Sequence, residues 1–368
     1  MIPVYLKEHM MTFKFLPLAF ISFFSLFTSQ EGLSTDKETP PKELTGAGAT
    51  FPYPLYAKWA ETYQKETNTQ LNYQSIGSGG GIKQIKAGTV NFGASDKPLD
   101  EKDLSESKLM QFPAIIGGIV PIFNIKGIDQ LTLDGQTLGA IFAGKITKWN
   151  DAALAALNPG VRLPDEPIVV AHRCDGSGTT FLFSHYLFDV SNDWKTIQGW
   201  DVKNPDKVKP DSTAQWPNGS VAGKGNQGVA GLVSNTPNSI GYVEYAYATE
   251  NKLSHVVLKN KDGEVVEPSA DAFSAAAENV DWSRNPSFYV IMTNQPGKKS
   301  WPITGASFIL LRTEDTYADK NKEVCQFFDW AFKNGQEMAT TLHYIPLPAS
   351  LVTLIEKAWQ DHKIAPKA

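Results

Sequence analysis

From Leu44 onward, short apolar runs alternate with segments whose apolar residues return every three or four positions. The runs QLNYQSI (70–76), VNFGAS (90–95), AIIGGIVPIF (114–123), PIVVAHR (167–173), SIGYVEYAY (239–247) and SFILLRT (307–313) predict strands. Helical stretches lie between them, and this repeating βα order predicts α/β domains with largely parallel sheets. The first helix is the plainest. Tyr56, Trp59, Ala60 and Tyr63 fall at i, i+3, i+4 and i+7 behind Pro52 and Pro54, which suit a first turn. Val324, Phe327, Phe328, Ala331 and Phe332 repeat that spacing near the C-terminus, and Asn334-Gly335 ends the helix. Such stripes are core and imply no cofactor. LKNKDGEVVEP (258–268) reads as a surface hairpin turning at Asp262-Gly263.

The pattern differs at the front. Lys14 precedes FLPLAFISFFSLF, 13 residues without a charge, and the polar stretch TSQEGLSTDKETPPKE follows. Basic start, short apolar middle and polar exit predict a secretory signal peptide over 1–34 and a polar tether over 35–43. A membrane-spanning helix needs about 20 apolar residues, more than this stretch supplies. No cysteine lies near the junction to accept a lipid. At 368 residues the chain exceeds the length at which one core usually stops growing, so two domains are expected.

Composition narrows the partners. The chain carries 34 basic and 39 acidic residues, a formal charge of -5, and two of each sign (Lys7, Lys14, Glu8, Glu31) fall in the signal region, so the exported part is equally acidic. Nucleic acid is excluded as a partner, because its binding rests on clustered Lys and Arg. An anion bound by such a chain must be held by local groups, which screening over about 8 Å permits. Cys174 and Cys325 are 151 positions apart and predict two free, half-buried thiols.

Familiar catalytic motifs fail on inspection. GAIFAGKI (139–146) has the spacing of a phosphate-binding P-loop but ends in Ile146, and Leu138, Ile141 and Phe142 mark a helix face closed by Gly144. GKGNQG (223–228) matches a dinucleotide fingerprint without a buried strand ahead of it. Ser78 and Ser177 each lack one glycine of a nucleophile elbow. The six histidines (9, 172, 185, 255, 343, 362) are scattered, with no metal-binding spacing, although His172 beside Arg173 is kept as a candidate base.

A repeated device remains. GAGATFPYP (46–54), IGSGGGIKQIK (76–86) and DGSGTTFLF (175–183) each set a glycine- or hydroxyl-rich turn before a predicted helix. Taken singly, each reads as an ordinary N-cap. Together they offer unpaired amides, hydroxyls and the positive ends of helix dipoles, and Arg173 adds a charged fork, a set suited to a buried tetrahedral anion.

These segments, with NFGASDKPL, QFPAIIGGIVPIFN, GKGNQGVAG, IGYVEYAYA and WPITGASFILL, closely resemble the secreted phosphate-binding proteins of phosphate-specific ABC transporters, from about Leu44 to about Trp359. The resemblance implies a two-lobed type II periplasmic-binding-protein fold with a hinge crossed twice, the first lobe over 44–119 plus 292–368 and the second over 120–291. It implies phosphate ligands at Thr50, Phe51 (backbone N–H), Ser78, Asp96, Arg173, Ser177, Gly178 and Thr179, with Asp175 orienting the arginine. It also implies a periplasmic monomer that serves membrane permease subunits, without cofactor, metal or catalysis. His172 and Cys174 depart from the family pattern, which commonly has arginine and a small unreactive residue there.

Asp96 carries the selectivity argument. Phosphate near neutral pH keeps a proton to donate to a carboxylate, whereas sulfate has none and would leave two acceptors facing each other. Two other functions are weighed. One is an exported phosphatase or phosphotransferase using Ser177 or His172. The other is the same fold holding sulfate, molybdate or a phosphorylated metabolite.

Overall fold

The computed structural model describes residues 42–200 and 210–366, so the predicted signal peptide and most of the tether lie outside the described residues. The chain opens with β1 (Lys42–Gly48), α1 (Tyr53–Thr67), β2 (Thr69–Ser75), α2 (Ser78–Ala87), β3 (Phe92–Ser95), α3 (Glu101–Glu106) and the long β4 (Leu109–Asn124). β5 (Gln130–Leu133), α4 (Gly135–Phe142), α5 (Ala152–Leu157), β6 (Val169–Arg173), α6 (Gly178–Val190) and α7 (Asn192–Ile197) follow. Next come β7 (Val221–Gly223), α8 (Gly225–Asn235), β8 (Ser239–Glu244), α9 (Tyr245–Glu250), β9 (Ser254–Lys259), β10 (Val265–Val266) and α10 (Ala270–Ala277). The chain returns through β11 (Thr304–Arg312) and closes with α11 (Ala318–Asn334), α12 (Gln336–Thr341) and α13 (Ala349–Asp361).

The strands line up as β2-β1-β3-β11-β4-β8-β6-β7, with β9, β5 and β10 joined beside β4. β4 connects the two halves. Its first residues, Leu109–Gly118, pair with β11, and Ile119–Asn124 pair with β8. Every residue of β4 but the last is buried, which is why its sequence reads as an unbroken apolar run. At the handover, a β-carbon on Gly118 would stand 2.1 Å from the Phe273 ring, so only glycine lets that ring rest on the strand. The sheet is mixed rather than largely parallel. β1 pairs in parallel with β2 and β3, and β6 with β7 and β8, whereas β4 and β11 run antiparallel to each other and to their outer strand neighbours β8 and β3.

Two helices form where the apolar spacing places them. On α1, Tyr56, Trp59 and Tyr63 are buried, Ala60 is partly so, and Pro54 occupies the first turn. On α11, Val324, Phe327, Phe328, Ala331 and Phe332 are buried, and Gly335 caps the end. The stripes meet: Tyr56 and Phe328 pack edge to face at 5.9 Å, and Tyr63 and Phe327 at 5.1 Å. In the other half, Phe183 stacks on Tyr242 at 4.2 Å.

Boundaries differ where capping or pairing overrides local pattern. β1 begins at Lys42, inside the predicted tether, because its backbone pairs with Thr69 in register although Lys42 and Glu43 stay exposed. The run SIGYVEYAY stops being a strand at Glu244, whose carboxyl accepts from Ala246 N and starts α9. The expected hairpin is present as β9 and β10, with Gly263 at φ +87°. GAIFAGKI falls on the end of α4, with Gly144 at φ +70° beyond it. No helix among the described residues is long and apolar enough to cross a membrane.

Candidate anion-binding site

The three turns singled out in the sequence come together. Thr50 and Phe51 follow β1, Ser78 opens α2, and Ser177, Gly178 and Thr179 open α6. The second and third turns touch through their backbones, with Gly79 N donating to Gly176 O at 2.9 Å. Gly77 sits at φ +88°, and a β-carbon there would stand 2.2 Å from Asp175 Oδ2. Gly178 is equally confined, since its β-carbon would stand 2.5 Å from Asp96 Cβ and 2.6 Å from Ser78 Oγ. Glycine at these places is what lets the backbones approach closely enough to share one small site.

Ser78 ties the turns together. Its Oγ accepts from Gly178 N at 3.0 Å and from Asp96 N at 3.2 Å, and lies 3.4 Å from Asp96 Oδ2. Ser177 Oγ accepts from Thr180 N at 3.0 Å, capping α6. Thr50 Oγ1 accepts from Asn226 Nδ2 at 2.7 Å and Asn226 N at 3.1 Å. Thr50, Ser78, Asp96, Arg173, Ser177 and Thr179 are all at most 5% exposed, so the cluster is closed to solvent.

The charges are held deliberately. Arg173 grips Asp175 with two bonds, Nε to Oδ1 at 2.8 Å and Nη2 to Oδ2 at 2.5 Å, while Nη1 turns toward Thr179 Oγ1 at 3.4 Å. Gly225 N also donates to Asp175 at 3.0 Å. Burial alone would raise the Asp175 pKa, but the bonds and charge of Arg173 outweigh it and hold the carboxyl below its usual range. Asp96 behaves oppositely. Burial pushes its pKa up to about 7, with Ser307, Arg173 and Ser78 pulling down less strongly. Its Oδ1 is buried and makes no hydrogen bond of good geometry, although the neighbouring Ser307 hydroxyl is the strongest of the groups that pull its pKa down.

Every residue expected at the site from the resemblance therefore lies in or against this cluster. Sequence reading missed Asn226, at the start of α8, and the phenols of Tyr247 and Tyr344, which lie 2.6 Å from Thr50 O and Phe51 O respectively. Asn226 was within reach of sequence, since it lies in GKGNQG. That segment is the short strand β7 turning into α8, a fourth glycine-rich helix start. His172 does not act on the cluster through its ring. The imidazole stacks on Trp216 at 4.7 Å, Nδ1 lies 2.9 Å from Arg173 O, and burial lowers its pKa. The two thiols are free, yet neither is half-buried: Cys174 is exposed, and Cys325 is buried on the apolar face of α11.

A closed polar cluster built from turns of both halves of a sheet that β4 runs through defines a two-lobed solute-binding protein. The PBP superfamily domain matches residues 33–334. The phosphate-binding protein PstS of Xylella fastidiosa (strain 9a5c) is 50% identical over 337 residues, 90% of each chain. That of Haemophilus influenzae is 51% identical over 319 residues, 86% of this chain and 92% of its own. The chain belongs to this family, the PstS phosphate-binding proteins. In fold it is similar to a phosphate ABC transporter substrate-binding protein from Clostridium perfringens with bound phosphate (TM-score 0.60, 19% identity, 83% of this chain and 100% of that one). It is also similar to a high-affinity periplasmic phosphate-binding protein bound with phosphate (TM-score 0.66, 21% identity, 86% and 93%). The fold is the two-lobed α/β periplasmic-binding-protein fold.

Proposed function

We propose that the chain captures inorganic phosphate outside the inner membrane and delivers it, as a monomer, to the membrane permease subunits of an ABC transporter. The lobes comprise 44–119 plus 292–368 and 120–291, joined by a hinge crossed once along β4 and once on the way into β11. Thr50, Phe51, Ser78, Asp96, Arg173, Ser177, Gly178 and Thr179 hold the anion, and Asp175 orients Arg173. The signal peptide over 1–34 directs the chain to the periplasm.

One observation carries this reading: the buried Asp96 carboxyl and the Arg173 fork border the same cluster, Asp96 at Ser78 Oγ and Arg173 at Thr179 Oγ1, close enough for the arginine's charge to act on the carboxyl. An anion bearing a proton satisfies both groups at once, whereas sulfate satisfies only the arginine. The relatives named as phosphate-binding proteins support the same ligand. Burial of the cluster favours a bare anion over a phosphorylated metabolite, whose organic part would need an opening. Binding is favoured over catalysis because Ser177 Oγ is engaged in capping α6 and His172 is stacked on Trp216. Titration calorimetry of the exported chain tests the reading. Tight binding of phosphate with little heat from equimolar sulfate is expected, and equal affinity for the two anions overturns it.

A further inference from the structure

Glu244 lies at the end of β8, fully buried, and is not among the groups proposed to hold the anion. Its surroundings fix its proton. The Tyr344 hydroxyl stands 2.6 Å from Phe51 O and 2.8 Å from Glu244 Oε2, and a phenol has one proton to give. Phe51 O is a carbonyl and only accepts. If Tyr344 gave its proton to Glu244, Phe51 O would face the phenolic oxygen at 2.6 Å as acceptor against acceptor, buried and unsatisfied. If Tyr344 donates to Phe51 O, every group is met, provided that Glu244 donates to Tyr344. The carboxyl keeps an acceptor for Ala246 N, 3.1 Å from both of its oxygens.

We propose that Glu244 is a neutral, proton-carrying positioning residue, which through Tyr344 fixes the Phe51 turn for the anion. The inference rests on the phosphate-binding reading. Three contacts that start at Glu244 end at the same turn. Its carboxyl reaches Phe51 O through Tyr344, and its backbone N donates to Asn226 Oδ1 at 3.0 Å, whose amide group holds Thr50 Oγ1. It also caps α9, from which the Tyr247 hydroxyl donates to Thr50 O at 2.6 Å. The ionisable groups acting on Glu244 are the carboxyls of Asp96 and Glu250, and its titratable neighbours are the phenols of Tyr344 and Tyr247. Burial and these carboxyls all favour the neutral form, which spares an incoming anion another negative charge.

Infrared difference spectroscopy and phosphate titration of the full exported chain test this. At neutral pH, wild type minus Glu244→Gln is expected to show the carbonyl band of a protonated carboxyl, displaced in Tyr344→Phe. Glu244→Gln keeps a donor toward Tyr344 and is expected to bind phosphate within about threefold of wild type, whereas Glu244→Ala and Tyr344→Phe lose about tenfold or more. Carboxylate bands in place of the carbonyl band overturn the neutral state. Wild-type affinity in Tyr344→Phe overturns the positioning role even if Glu244→Ala fails to fold. A wild-type chain that binds no phosphate strikes the functional reading instead, because the band is read without added phosphate.

Discussion

Asn226 holds Thr50 Oγ1 twice, from Nδ2 at 2.7 Å and from its backbone N at 3.1 Å, across 176 positions of sequence. A hydroxyl oxygen has two lone pairs and one proton. With both lone pairs taken, the Thr50 proton is left to donate elsewhere, which under the proposed function is toward the anion. Asn226→Ala frees those lone pairs and lets the hydroxyl turn. It is expected to weaken phosphate binding by roughly tenfold, the worth of one fixed hydrogen bond to a charged acceptor, as measured by calorimetry. Unchanged affinity would show that Thr50 is oriented by something else.

Asp96 is expected to set the choice between anions. Facing it with sulfate leaves a buried acceptor unpaired beside a like charge, at a cost of several kcal/mol, so wild type is expected to prefer phosphate by about a hundredfold or more. Asp96→Asn offers an amide that donates to sulfate as readily as to phosphate. The gap between the two affinities is expected to shrink by about tenfold or more, mostly through gained sulfate binding. Parallel titrations of both variants check this, and an unchanged ratio would move selectivity to another residue.

Those two residues mark what sequence makes legible and what it hides. The three turns of Thr50, Ser78 and Ser177 are local features, each a hydroxyl or glycine ahead of a helix, and local features are written in consecutive residues. The α1 and α11 stripes are legible for the same reason. Asn226 is legible only as part of the glycine-rich GKGNQG turn and not in what it holds, and Tyr247 and Tyr344 are not legible at all, because each of the three acts across more than a hundred positions on a backbone group of residue 50 or 51 or on the Thr50 hydroxyl. Strand direction is hidden likewise. The antiparallel pairing of β4 with β11 joins residues about two hundred positions apart, and no period within either strand records its partner's direction.

Arg173 and Asp175 form a fork-to-fork pair with side chains only 1% and 12% exposed, a geometry lysine does not reproduce. Arg173→Lys is therefore expected to bind phosphate about a hundredfold more weakly despite keeping its charge. Asp175→Asn keeps the arginine but loosens its aim, and a smaller loss of about tenfold is expected. Equal binding by Arg173→Lys and wild type would remove the arginine from the site.

The stability of the ligand-free protein tests the environment of Asp96 independently of any anion. Burial holds its pKa at about 7 in the folded chain, against about 3.9 for an unfolded aspartate. Between those values the folded protein keeps a proton that the unfolded chain has lost, so this group favours folding below about pH 4 and its contribution disappears as pH rises through 7. The ceiling is about 1.4 kcal/mol per pH unit across that window, roughly 4 kcal/mol in all. Asp96→Asn has no proton to lose, so the difference in unfolding free energy between it and wild type isolates this group from every other that titrates. Urea unfolding without phosphate is expected to show wild type losing ground to Asp96→Asn steadily from pH 5 to pH 7. Parallel curves over that range would mean that Asp96 is ionised in the folded protein throughout, held by Arg173 more firmly than burial opposes it.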